Sequence, residues 1–151
     1  MVRGRLYGFR AEEVMRFWAD RVGLTEEAAL ERLPQVVCVL IDDEDRVVGV
    51  NSAFDAALPA FGGRTLWVYR ALLSPHLERE ASAPMVAAAF AELERGFAEG
   101  SAPIGLCLQI ADPSVFPGHR RACWPDLGML YAGYLDDGRQ LRIRYFEGAR
   151  V

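Results

Sequence analysis

Lysine is absent from this chain of 151 residues, and all 17 basic residues are arginine. Codon use in a GC-rich genome is the expected source of that bias, in preference to a mechanistic one. Cysteine is scarce as well. Cys38, Cys107 and Cys123 are odd in number and far apart, which leaves neither a complete disulfide framework nor a CxxC metal pattern, and a reducing, cytoplasmic compartment is expected. No stretch approaches the roughly 18 apolar residues of a membrane span, so no membrane partner is expected. The N-terminus runs into Glu12 and Glu13 without the apolar core of a signal peptide. A formal net charge of -4 lacks the basic excess of a nucleic-acid footprint, so no nucleic acid is expected as a partner. G-x-S-x-G, G-x-G-x-x-G and the P-loop are all missing. His76 and His119 have no carboxylates or thiols at ligand spacing, which excludes a recognisable metal site.

What remains is a globular balance, 52% hydrophobic and 25% charged. At this length folding buries roughly 68 to 70% of the unfolded chain's surface, enough for a core without staples. No repeat or long linker divides the chain, which reads as a single domain over residues 1–151. A short first strand is expected over Arg5–Phe9. Val14, Phe17, Trp18 and Val22 recur at helical spacing, and Thr25 is placed to cap a second helix that Pro34 ends. Val36–Ile41 and Val47–Val50 read as a hairpin in a covered sheet. Thr65–Leu73 is a further strand, followed by a loop through Glu78–Ala83 and a helix from Pro84 to about Phe97. Ile104–Ile110 is the next strand, Asp112–Asp126 is irregular or briefly helical, and Met129–Leu135 with Gln140–Phe146 closes the chain as a hairpin. Arg142 and Arg144 alternate with apolar residues there, the pattern of a strand with one wet face. The class is α/β (α+β), a mixed, mostly antiparallel central sheet flanked by helices.

The junction Ala71-Leu72-Leu73-Ser74-Pro75, followed by small residues and a helix, aims unpaired amides at whatever binds there. An ordinary strand-to-helix connection has the same signature. With the element order β-α-α-β-β-β-α-β-α-β-β, the chain resembles the GNAT superfamily of N-acyltransferases, which move an acyl group, usually acetyl, from coenzyme A to an amine. Leu73-Ser74-Pro75 is similar to the apolar-x-Pro step that ends the family's fourth strand. The pyrophosphate loop of the family would fall on Glu78, Ala81 and Ala83, or one residue on at Arg79, Ser82 and Pro84, and both registers lack glycine. Glu78 and Glu80 bring negative charge to it; one carboxylate about 6 Å from one phosphate charge costs roughly 3 kcal/mol at an effective dielectric near 20. Cys123-Trp124-Pro125-Asp126-Leu127-Gly128-Met129 is similar to the family's Leu-Tyr-x-x-x-Gly-Phe ending, with Trp124 where a tyrosine often protonates the leaving thiolate. The family's occasional base glutamate falls on Trp67.

The resemblance implies acetyl-CoA as the acyl donor, held by Leu73, Ser74, Arg79, Ala81, Ser82 and Ala83, and a small-molecule or peptide amine as acceptor; a homodimer is also allowed for. His119 and Tyr131 are the candidate catalytic groups, with His119 standing in for the missing tyrosine. Asn51 and Tyr69 are candidates for the acceptor pocket, although a strand irregularity at Asn51 and simple packing at Tyr69 fit equally. A GNAT-like domain that has lost transfer and serves as a binding or assembly module is the alternative.

Overall fold

The computed structural model describes residues 8–151. Of the strand expected over Arg5–Phe9, residues 5–7 lie outside the described residues, and Gly8 and Phe9 instead open helix α1 (Gly8–Val22). Helix α2 (Glu26–Arg32) begins as expected at Thr25, whose hydroxyl accepts the Ala28 N–H at 3.2 Å. Then come β1 (Val36–Ile41), β2 (Val47–Leu58), β3 (Arg64–Leu73), helix α3 (Glu78–Ala98), β4 (Gly105–Ile110), the short β5 (Cys123–Trp124), β6 (Met129–Tyr134) and β7 (Gln140–Tyr145). The seven strands form one mixed, mostly antiparallel sheet in the order β1-β2-β3-β4-β7-β6-β5, with β3 and β4 the parallel pair.

Alternation along the strands divides the core between the two faces. Val50 and Leu72 turn toward α1 and α2, where they meet Val14, Phe17, Trp18 and Ala29. Their neighbours Tyr69 and Leu73 turn the other way, with Leu106 and Leu108, onto Met85, Val86, Ala89 and Phe90 of α3. Helices on both faces explain why the strands read as apolar runs.

Two local expectations are corrected. Helix α3 starts at Glu78, directly after a 3-10 turn over Pro75–Leu77, so Glu78–Ala83 are helical and Pro84 lies inside the helix. Proline is common at a helix start because its missing N–H is not needed there, and that rule misplaces the boundary by two turns; exposed Pro84 is accommodated in mid-helix instead. The second correction concerns β7, which is not wet on one face: Arg142 is 1% exposed. Its guanidinium donates to Gln140 Oε1 (2.8 Å) and to the carbonyls of Ala122 (2.9 Å) and His119 (3.0 Å), and lies 4.3 Å from the Trp124 ring centre. Arg144 donates to the Leu127 carbonyl at 2.9 Å and covers Phe90. The two arginines pin the irregular 111–128 connection to the sheet.

Candidate functional site

The parallel pair creates the opening. β3 and β4 are paired at Trp67↔Leu106, Val68↔Cys107 and Tyr69↔Leu108, after which β3 continues to Leu73 and β4 to Ile110 without further pairing. On the other side β3 stays paired with β2 to its end, at Gly49↔Leu73. The Ser74 N–H donates to the Val48 carbonyl at 2.8 Å. Continuing that alternation back along the register, Leu72 and Arg70 direct their main-chain groups to β2, while Leu73 and Ala71 direct theirs toward β4. These are the groups that face the gap once β4 has turned aside.

A cleft of about 490 Å³ occupies this gap. It is walled from both faces of the sheet: by Trp18, Val22 and Arg32 from α1 and α2, and by Glu78, Ser82 and Phe116 from α3 and the 111–128 connection. Its charged groups are segregated. Arg32 and Arg70 lie on the α1/α2 side, whereas Glu78 and Asp112 belong to the rim where α3 begins. Hydrogen bonds from Ser114 and the nearby charges of Arg79 and His119 hold the Asp112 carboxyl below the usual carboxylate range.

Of the residues singled out from sequence, Leu73, Ser82 and Tyr69 line the cleft. Asn51 lies outside its lining and is fully buried as a tie between elements. Its Oδ1 accepts the Cys38 N–H at 2.7 Å, and its Nδ2 donates to the Met85 carbonyl at 2.9 Å and to the Tyr69 hydroxyl at 3.3 Å. The β1 register shifts between Val36 and Cys38, and the Asn51 side chain satisfies the Cys38 amide at that bulge. Tyr69 is therefore a packed side chain with a hydrogen-bonded tip, and burial raises the pKa of its hydroxyl.

Ala81 faces the core beneath α3, Ala83 borders a second cavity of about 230 Å³, and Arg79 is exposed on the first turn of the helix. The Ser74 amide is taken by Val48. None of these four lines the cleft: Ser74 precedes α3, and within the helix only Glu78 and Ser82, one turn apart, lie on the side that faces it. His119 sits in a turn of the 111–128 connection, and its carbonyl accepts from Trp124 Nε1 at 3.3 Å and from Arg142. Tyr131 is 45% exposed on β6, edge-on to Tyr134. Neither candidate acid lines the cleft. Trp124 is buried against Phe116, ring centres 4.7 Å apart, and Trp67 is core.

Sequence reasoning missed Arg32 and Arg70. The available signal was positional: Arg70 interrupts β3 at an alternation site otherwise filled by Leu66, Val68 and Leu72. Among the described residues no group of three or more His, Cys, Asp or Glu could hold a metal ion, and no helix is long and apolar enough to cross a membrane.

No protein-family model and no curated protein matches the chain. Among solved structures, one described as the crystal structure of the KacTA-DNA complex is similar at 13% identity, with a TM-score of 0.45, covering 88% of this chain and 79% of that one. The chemistry has to be read from the cleft itself.

Proposed function

We propose that the chain is a GNAT-like N-acyltransferase that takes its acyl group from acetyl-CoA in the cleft between β3 and β4. The observation that supports this reading is the parting of the parallel strands after Tyr69 and Leu108, with the main-chain groups of Ala71 and Leu73 turned into the opening. An amide-bearing arm such as that of coenzyme A fits there as a strand that replaces β4. The pyrophosphate end fits less well. The first turn of α3 supplies amides, but its Leu77 cap makes no side-chain bond, and Glu78 stands at the rim. Acetyl-CoA is thus held by its arm more than by its phosphates.

In the reaction the amine nitrogen bonds the acyl carbon, the carbon–sulfur bond breaks, and the amine's surplus proton leaves to water while the thiolate takes one from solvent. With His119 and Tyr131 outside the cleft, the chain's contribution is to hold the two reactants in line. A thermal-shift titration with acetyl-CoA tests the binding step, since a ligand of the folded state alone raises the melting temperature. A rise, followed by acyl transfer to any member of an amine panel, supports the proposal; no rise at millimolar acetyl-CoA overturns it.

A non-catalytic binding domain is the second reading, favoured by the acidic rim and by Trp124 at the place of the acid. Binding of acetyl-CoA without transfer to any amine would select it.

A further inference from the structure

Arg32 and Arg70 have no role in the reading above, yet both line the cleft, on the side walled by α1 and α2. Neither forms an ion pair among the described residues, whose salt bridges involve Arg10, Arg46, Arg95 and Arg139 instead. Arg70 is held in place from two directions: it donates to Gln35 Oε1, and its guanidinium carbon lies 4.7 Å from the Phe54 ring centre. Its Nε is buried without a hydrogen-bond partner among the described residues. Arg32 lies over the Trp18 ring at 5.7 Å, leaving its charged edge uncommitted. Burial first, and then the like charge of Arg32, disfavour the charge on Arg70. A third arginine, Arg21, reaches the Leu73 carbonyl at 3.4 Å from the end of α1.

Two positioned, unneutralised guanidiniums beside an apolar wall match an anion, because a buried donor without a partner and two like charges are both relieved by one acceptor-only group. The wall beside them consists of Trp18, Val22, Val50 and Leu72, which suits an apolar body. We propose that this side of the cleft binds the carboxylate of an apolar, amino-acid-like acceptor through Arg32 and Arg70. The assignment rests on the cleft named above and gives the acceptor's class: an amine whose carboxylate is fixed on the α1/α2 side of β3, next to the main chain of Ala71. The guanidinium fork suits carboxylate and phosphate alike; the carboxylate is chosen because the apolar wall of Trp18, Val22, Val50 and Leu72 offers a doubly charged phosphate no further polar partners.

The test is calorimetric titration of the full chain, without acetyl-CoA, against phenylalanine, phenylalanine amide and inorganic phosphate, with acetyl-CoA titrated separately. Phenylalanine is expected to bind at least tenfold more tightly than its amide. Arg32→Gln and Arg70→Gln should each remove that preference while Arg79→Gln, on an exposed helix turn, retains it. Melting temperatures of the variants identify any loss of fold, and the less embedded Arg32→Gln keeps the test decisive if Arg70→Gln unfolds. Equal binding of acid and amide, no binding of either, or tighter binding of phosphate overturns the inference. Acetyl-CoA binding with no acid preference leaves the acyltransferase reading standing alone; acid preference without acetyl-CoA binding leaves the carboxylate site standing and removes the acyltransferase reading.

Discussion

Asn51 spends every polar atom of its side chain on structure. Removing it strands a buried Cys38 amide at the bulge and frees both the Tyr69 hydroxyl and the link from β2 to α3. Asn51→Ala is expected to cost about 2 to 4 kcal/mol, and Tyr69→Phe about 1 kcal/mol or less, since the hydroxyl takes only one long bond from Asn51. Urea unfolding of both variants checks the ranking; a milder effect at Asn51 than at Tyr69 would show that the bulge finds another acceptor. From sequence a polar residue inside an apolar strand is equally a pocket residue and a bulge device, because the partners that decide come from β1 and α3. The same holds for Arg142. Its alternation with Leu141 and Ile143 is legible, but the carbonyls that bury it belong to a distant irregular segment.

At the level of elements, strands were the most legible, since β1, β3, β4, β6 and β7 fall within a residue or two of where their apolar runs put them. The far half of β2, Ala53–Leu58, was missed because alanine and aspartate there carry little strand preference and the pairing with β3 imposes it. Helix α3 was misread at its start, and the consequence reaches the site: Glu78 and Glu80 are first-turn residues of a helix, where carboxylates favour the positive end of the helix dipole. Only Glu78 lines the cleft. With acetyl-CoA seated as proposed, Glu78→Gln should therefore tighten its binding by roughly a factor of a few at low ionic strength and much less near 0.15 M salt, whereas Glu80→Gln leaves it unchanged. Titration calorimetry at two salt concentrations separates the pair, and equal responses would mean that neither carboxylate faces the ligand.

For the molecule as a whole, α1 and α2 on one face and α3 on the other place two thiols in separate parts of the core. Burial pushes Cys38 and Cys107 from the usual 9.0 up to about 11. The folded state then keeps its proton where the unfolded chain loses it, so the stability these thiols contribute is complete below about pH 9 and declines as pH rises from 9.0 toward 11. Guanidinium unfolding midpoints should hold steady to about pH 8.5, fall through that window, and fall less in a Cys38→Ala, Cys107→Ala double variant; an alkaline edge identical in both proteins would assign it to other groups. The class and sheet composition were legible because periodicity is local. The cleft was legible only as the Ala71-Leu72-Leu73-Ser74-Pro75 junction with its unpaired amides, and the arginines that distinguish its two sides became visible once α2 and β3 were brought together. Because side chains from both faces of one sheet line the cleft, any ligand seated there touches α1 and α2 on one side and α3 on the other. Its binding free energy is shared by the two otherwise separate halves of the core and would be lost if either half opened.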